Sequence, residues 1–315
     1  MKILKTNILK NSEFNIFDVK SLMIDQTIDF DIYIKKNGGY VIIIESGTTI
    51  TKNLYFMLQK QEKLYVLKNN GADYCKNLIY HIKQNKDYHK KCINILYESN
   101  DRLFKRFFES KENRIDMNSV KAIVDSIIYL VRYDKAYIKS LMPIFANSYE
   151  LSYHSLHVSL YALSLGNILE LDNEKMIKLG IAALLHDIGL KKIDPDIINK
   201  STGLDADEIK TVRKHAQYGV DILLHNNIHD PYIIDAVMHH HERYDGQGYP
   251  NRIEKSEISD IASIIAICDV FDALTNDRPY RKSYSSFDAL NMMMYDVSMI
   301  NKFNLKYLIL ALKLL

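Results

Sequence analysis

The sequence predicts a mainly α fold in which an all-helical domain follows a small α/β module. Through most of the chain after residue 117, apolar residues recur every three or four positions, as they do on the buried face of a helix. Near the N-terminus, polar and apolar residues instead alternate around Asn37-Gly38, which is a strong hairpin signal. We divide the chain into an α/β module at residues 1–74, a connecting helix at 75–116 and a helical domain at 117–315.

The N-terminal module is predicted to contain three short strands. Residues 31–36 and 40–44 form the first two, joined by a turn at Asn37-Gly38-Gly39. A short helix at 54–58 and a third strand at 64–67 follow. The module contains no cluster of metal ligands, no phosphate-binding loop and no nucleophile motif. We therefore expect it to have a regulatory or scaffolding role.

Residues 75–116 are charged, rich in Tyr and Lys, and free of Pro and Gly, which favours a continuous helix. A second copy of the chain could pack on this helix, so a homodimer is one expected partner arrangement. In the C-terminal domain the helical spacing predicts eight helices, at residues 120–131, 155–169, 174–185, 206–224, 231–241, 261–274, 287–300 and 307–312.

Composition excludes several classes of protein. The net charge is only +2, which gives no reason to expect a nucleic acid polymer or a membrane surface as partner. Three scattered cysteines without a CxxC spacing argue against a disulfide scaffold and against a thiolate zinc site. We find neither an apolar run of about 18 residues nor a signal-peptide segment. The sequence therefore predicts a cytoplasmic protein.

Three consecutive histidines, His239, His240 and His241, are the most informative feature of the chain. Imidazole is the commonest protein ligand for transition metals, and a buried ring without a partner is costly. His186-Asp187 is a second pair of ligand-type residues in an apolar helical segment. His154, His215 and Asp269 have similar apolar surroundings. Together these residues predict a metal-dependent hydrolase.

The same segments resemble the HD-GYP phosphodiesterases, a branch of the HD phosphohydrolase superfamily, over residues 117–315. The matching segments are Tyr153-His154-Ser155, His186-Asp187-Ile188-Gly189, Lys214-His215 with Gly219, His240-His241-Glu242 continuing to Gly248-Tyr249-Pro250, Asp269-Val270-Phe271-Asp272-Ala273-Leu274-Thr275 and Arg278-Pro279-Tyr280-Arg281-Lys282.

The resemblance implies a centre of two or three divalent metal ions, iron or manganese before zinc. Its ligands would be His154, His186, Asp187, His215, His240, His241 and Asp269. Asp187 would bridge two ions and, with His186, carry the catalytic role. Glu150 lies four residues before His154, one helical turn away, and is the candidate ligand for a third ion.

The resemblance also implies the substrate, the bacterial second messenger cyclic di-GMP, which would be opened to pGpG and cut further to GMP. A hydroxide held between two cations about 3.5–4 Å apart would attack the phosphodiester. Arg278 and Arg281 would bind phosphate oxygens, and Tyr249 with Gly248 would contact the ligand. A diguanylate cyclase or another signalling protein is an expected partner.

Two positions depart from the family pattern. Leu190 stands where the family usually has a lysine credited with steering phosphate, and Ser263 where it usually has an arginine. Two alternatives therefore stay open: a hydrolase of another nucleotide, such as a mixed cyclic dinucleotide, and a catalytically weak sensor that binds cyclic di-GMP and acts through partners. Of the remaining polar residues, His157 and His239 are expected to pack or to orient ligands, and Asp272 to orient one.

Overall fold

The structure is a computed structural model. It forms two compact units, one from residues 1–102 with 117–129 and one from residues 103–116 with 130–315. The residues that the structure describes are 14–17, 27–67, 86–133, 150–198, 202–277 and 281–315, together with the single positions 19, 22, 24, 25 and 200.

A four-stranded antiparallel sheet lies in the first unit. Its strands, in the order β1-β4-β2-β3 across the sheet, are β1 (Phe14–Phe17), β2 (Ile32–Lys36), β3 (Gly39–Ile44) and β4 (Leu64–Leu67). Asn37 and Gly38, both with positive φ, form the turn between β2 and β3, which confirms the predicted hairpin. The predicted short helix is α1 (Lys52–Gln59). Strand β1 was not predicted.

Two helices of the central region follow, α2 (Lys86–Glu109) and α3 (Met117–Tyr133). Helix α2 lies within the segment predicted as a connecting helix and ends at Glu109 rather than at 116, and residues 75–85 lie outside the described residues. The segment after α2 belongs to the second unit and is held by side chains of that unit. Lys191 donates to the main-chain carbonyl of Ser110 at 2.8 Å, and Asn226 accepts from the Ile115 amide at 2.7 Å.

The C-terminal part is helical, as predicted. Its helices are α4 (Leu151–Ile168), α5 (Asn173–Leu185), α6 (Pro195–Ile198), α7 (Ala206–Val212), α8 (His215–His225), α9 (Pro231–His239), α10 (Asp260–Thr275), α11 (Ser286–Tyr295) and α12 (Leu305–Leu314), with 3-10 turns at Ile188–Lys192 and Lys255–Glu257. Side-chain caps fix several starts. Asp205 caps α7 in a capping box with Glu208, and Asp230 caps α9 ahead of Pro231.

Several of the predicted helices have different bounds, and α4 begins at Leu151 rather than at 155. The single helix expected at 206–224 is two helices, α7 and α8, and the Val212 carbonyl at the break accepts the Nδ1 proton of His215. This side-chain hydrogen bond competes with the main-chain ladder. Helix α11 ends at Tyr295 rather than at 300, and just after its end Asp296 accepts a hydrogen bond from the Ser298 amide. Helix α9 ends at His239 rather than at 241.

Helix α4 is the central helix of this unit, because every residue from Ser155 to Gly166 is buried. A helix that is buried all round cannot leave polar groups unpaired without cost, so its polar side chains need partners inside the protein. No helix in the described part of the chain is both long and apolar enough to cross a membrane.

Candidate metal centre

The structure brings all seven principal candidate ligands together in two adjacent groups. Within each group the possible ligand atoms lie within 4.8 Å of one another. The first group is Asp187, His215, His240 and His241, and the second is His154, His186 and Asp269. Residues separated by more than a hundred positions in sequence thus face one pocket.

Helix ends position most of these donors. His186 is the C-cap of α5 and Asp187 follows it, just before the 3-10 turn. His215 is the first residue of α8, and His240 is the C-cap of α9, followed directly by His241. His154 lies in the first turn of α4 and Asp269 lies within α10. Five segments of the chain therefore converge on the site.

Three of the histidines share one anchoring contact. Nδ1 of His186, His215 and His240 lies 2.7–2.8 Å from the main-chain carbonyl three residues earlier in each case. A carbonyl oxygen can only accept, so Nδ1 of each ring must carry the proton. In the neutral ring the Nε2 lone pair is then available to the site, which is the tautomer that a metal ligand needs.

The Nε2 atoms face the carboxylate of Asp187. Oδ1 of Asp187 is 3.2 Å from Nε2 of His215 and 3.6 Å from Nε2 of His240. Oδ2 is 3.4 Å from Nε2 of His186 and 3.8 Å from Nε2 of His154. Each carboxylate oxygen therefore faces a different group of donors, which is the geometry that a bridging ligand requires.

These donor atoms fit divalent cations. Nε2 of His215 and Nε2 of His240 are 3.3 Å apart although both rings carry their proton on Nδ1. Nε2 of His186 and Oδ1 of Asp187 are buried without a hydrogen-bond partner. Lone pairs held this close repel each other unless a proton or a cation lies between them, and a buried polar atom without a partner is costly. A mixed imidazole and carboxylate set meets this need by binding transition-metal ions.

The electrostatics keep two of the donors, Asp187 and His241, in metal-binding protonation states. Burial alone would raise the pKa of Asp187, but the neighbouring rings of His186, His215 and His240 outweigh it and hold that pKa well below its usual value. Burial, with the neighbouring imidazoles of His240 and His215, holds the pKa of His241 well below its usual value. An ionised carboxylate and a neutral imidazole are the forms that coordinate metals.

Asp272 orients His154, as predicted. Its Oδ2 lies 2.7 Å from Nδ1 of His154 and its Oδ1 2.8 Å from Nδ1 of His157, while Asn276 donates to Oδ1 at 2.8 Å. Burial would raise the pKa of Asp272, but the two histidines lower it to about 2, so it stays ionised. With Nδ1 bound to Asp272, Nε2 of His154 points to Asp269, 3.2 Å from its Oδ1.

Replacing Asp272 with asparagine should weaken metal binding at His154 by about 10- to 100-fold, because the amide presents an N–H to one of the two rings that it must orient. Metal content after dialysis against graded chelator, measured by elemental mass spectrometry, checks this. The exposed Asp221 on α8 provides a matched control in Asp221→Asn. Equal metal retention by the two variants would contradict the orienting role.

The other predicted site residues have different positions. Glu150 is outside both donor groups, because it is the N-cap of α4 with an extended backbone and is exposed. The shared helical face expected for it assumed that the helix included this residue, and the helix begins at Leu151. Its role as a third-ion ligand stays a prediction. Arg278 lies outside the described residues.

Arg281 and Gly248 have structural contacts. The Arg281 guanidinium donates to the carbonyls of Ala273 and Leu274 at 2.6 and 3.1 Å, and so it covers the end of α10. A Cβ at Gly248 would lie 2.5 Å from Cα of Glu242, so the missing side chain permits close packing within the loop. Binding of phosphate by Arg281 and of ligand by Gly248 stay predictions.

Tyr249 lies beside the donors, with its ring centroid 4.7 Å from that of His241. Burial and the nearby carboxylates of Asp187 and Asp269 raise its pKa above its usual value, so the hydroxyl keeps its proton and can donate to a ligand. The loop that carries it is closed by Glu242, whose Oε1 accepts from the Asn251 amide at 2.6 Å.

Sequence reasoning missed the roles of Glu242, Asn276 and Arg213. Asn276 follows Asp272 by four residues on one helix, a spacing that could have indicated the contact. Arg213 places its guanidinium carbon 5.1 Å from the centroid of the Tyr249 ring. No signal in the sequence predicts the contact between Arg213 and Tyr249, because this contact depends on the break between α7 and α8.

Comparisons with known proteins agree with this geometry. The family model described as HD domain matches residues 139–298. The cyclic di-GMP phosphodiesterase PA4108 of Pseudomonas aeruginosa is 35% identical over 57% of this chain and 43% of its own length. The 3'3'-cGAMP-specific phosphodiesterase 2 of Vibrio cholerae is 36% identical over 44% of this chain and 27% of its own length. The chain thus spans less than half the length of these two relatives.

A solved structure shows the same fold. Bd1817, an HDG"Y"P protein from Bdellovibrio bacteriovorus, aligns with a TM-score of 0.57 over 95% of this chain and 98% of its own, at 19% identity. At that identity the likeness concerns the fold alone. The HD domain model covers about half of the chain and includes all seven clustered donors together with the Gly248-Tyr249-Pro250 segment. The chain belongs to the HD domain family.

Proposed function

We propose that this chain is a metal-dependent phosphodiesterase that hydrolyses cyclic di-GMP to pGpG, GMP or both. The observation that carries the proposal is the convergence of seven imidazole and carboxylate donors on one pocket, with Asp187 facing both groups. Relatives named as cyclic di-GMP phosphodiesterases, 35% identical in the best-covered case, support the choice of substrate.

The centre would hold two or three divalent ions, iron or manganese before zinc, as expected for mixed nitrogen and oxygen ligands. Bound ions supply Lewis acidity and a water activated at neutral pH. In this proposal, His186 and Asp187 carry the catalytic centre, with His154, His215, His240, His241 and Asp269 as the other ligands.

The exposure of the donors indicates the side from which a substrate would approach. The side chains of His186, His215 and His240 are at most 3% exposed, so they form the closed wall of the site. Those of His154, Asp187, Asp269 and His241 are between 13 and 24% exposed, so they form its open rim. Tyr249 stands beside His241 on that rim, where its hydroxyl can meet a bound nucleotide.

A second substrate, a mixed cyclic dinucleotide such as 3'3'-cGAMP, is favoured by the relatives named as 3'3'-cGAMP-specific, which are 33–36% identical to the matched parts of this chain. Leu190 and Ser263, which replace the basic residues usual in the family, would contribute to such a preference. We further propose a cytoplasmic location, a diguanylate cyclase or another signalling protein as partner, and a homodimer formed through α2.

The experiment compares cyclic di-GMP, 3'3'-cGAMP and linear pGpG as substrates for protein loaded anaerobically with Fe²⁺ or Mn²⁺, with products resolved by chromatography. We expect pGpG or GMP from cyclic di-GMP, and the ratio of kcat/KM values ranks the two cyclic substrates. Verified metal content without hydrolysis of any substrate would overturn the proposal. Tight binding of cyclic di-GMP without turnover would instead identify a sensor.

A further inference from the structure

Arg213 stands at the open side of the metal centre without an acidic partner. It is the C-cap of α7, two residues before His215, and its side chain is exposed. Its guanidinium carbon lies over the ring of Tyr249, 5.1 Å from the centroid. Among the described residues, no carboxylate lies within ion-pair distance of it. A guanidinium resting on an aromatic face is held in place by cation–π attraction while its N–H donors stay available.

Three other cations near the site are used within the protein. Lys191, which follows Asp187 by four residues, donates to the carbonyls of Phe107 and Ser110. Arg243 pairs with Asp245. Arg281 donates to carbonyls at the end of α10. The Arg213 guanidinium, by contrast, is available to an anionic ligand beside Tyr249.

One aromatic ring separates Arg213 from the metal ligands. The Tyr249 ring lies between them in the series of contacts, 4.7 Å from the His241 ring on one side and 5.1 Å from the guanidinium on the other. The Arg213 guanidinium therefore contacts the centre by way of the Tyr249 ring. A ligand with a second anionic group, displaced from the first across the Tyr249 ring, could contact both.

We propose that Arg213 binds the phosphodiester of the substrate that is not being cleaved, with Tyr249 holding the guanidinium in position. This inference rests on the proposed function and adds a positioning residue to it. A cyclic dinucleotide carries two phosphodiesters, and guanidinium binds phosphate oxygens through two parallel charge-assisted hydrogen bonds. The contact selects substrates with two phosphates over those with one.

The test compares Arg213→Met with Lys210→Met, which removes the same charge from another exposed position of α7. The two substrates are cyclic di-GMP and bis(p-nitrophenyl) phosphate, which has a single phosphodiester. For Arg213→Met we expect KM for cyclic di-GMP to rise about tenfold, the effect of one lost charge-assisted contact, with kcat changed less than twofold. The single-phosphate substrate should be cleaved as by the unaltered protein. Arg213→Lys should recover part of the affinity.

The outcomes separate the inference from the proposed function. Equal KM values of the two variants for cyclic di-GMP would overturn the role of Arg213 and leave the phosphodiesterase proposal standing. Equal losses on both substrates would also overturn it, since Arg213 would then act through the metal centre. If the unaltered protein cleaves neither substrate, the proposed function fails. In that case the dissociation constant of cyclic di-GMP, measured by calorimetry, decides whether Arg213 contacts the ligand. A larger dissociation constant for Arg213→Met than for the unaltered protein supports the contact, and an equal one overturns it.

Discussion

Replacing Asp187 with alanine should abolish both tight metal binding and hydrolysis. Its two oxygens face different groups of imidazoles, so one substitution removes a ligand from each group. The loss of activity should exceed the roughly 10- to 100-fold effect of residues that only orient ligands, and we expect on the order of 1,000-fold or more. The measurements are kcat/KM for cyclic di-GMP and metal content by elemental mass spectrometry.

Removing the Asp187 carboxylate also removes its favourable interactions with His186, His215 and His240, so the variant should be less stable, and the change of its Tm on adding metal is the readout. Added Mn²⁺ should raise the Tm of the unaltered protein and leave that of Asp187→Ala unchanged, since a ligand stabilises only the state that binds it. Asp196→Ala, at an exposed carboxylate in the same region, is the control and should behave as the unaltered protein does. Undiminished turnover in Asp187→Ala would show that the catalytic centre has been wrongly assigned.

Replacing Gly189 with alanine should destabilise the fold and disturb the metal centre together. A Cβ at Gly189 would lie 1.9 Å from the carbonyl oxygen of His215 and 2.5 Å from the amide nitrogen of Gly219. Both atoms belong to the main chain of α8, so the helix and the 3-10 turn after Asp187 would have to separate. Overpacking of this kind costs roughly 1–3 kcal/mol, and rigid main-chain neighbours favour the upper end.

Urea unfolding measures the effect, with Gly203→Ala as the matched control. A Cβ at Gly203 would meet no atom within 4 Å, so that variant should unfold at the same or a slightly higher urea concentration. Because the shift in Gly189→Ala would move His215 away from Asp187, its metal content should fall as well. If Gly189→Ala and Gly203→Ala unfolded at the same urea concentration, the close contact of Gly189 with the main chain of α8 would not exist in solution.

Much of this fold and site could be predicted from the sequence, because turn residues, helix caps and apolar periodicity are local features of the chain. The hairpin at Asn37-Gly38 follows from residues that accept positive φ, and helices such as α5 follow from apolar periodicity and a capping Asp172. The donors were predicted because imidazoles and carboxylates in apolar helical segments, such as His186 and Asp187, need either a metal or a partner.

The features that were missed depend on contacts between distant segments. Apolar periodicity runs on from Ile209 through Val212 to Ala216, so it hides the break at which Arg213 turns toward Tyr249. The guanidinium of Arg281 donates to the carbonyls at the end of α10, a contact that motif resemblance does not encode, and its binding of phosphate stays a prediction.

The hydrogen bonds from Nδ1 of His186, His215 and His240 to carbonyls of their own turns have a further consequence. Each ring is tethered to its local backbone and not to the ion, so a chelator that strips the metal leaves these donors oriented as before. Recovery of a stripped sample should then be as fast as ions can diffuse in, with no slow rearrangement of the chain.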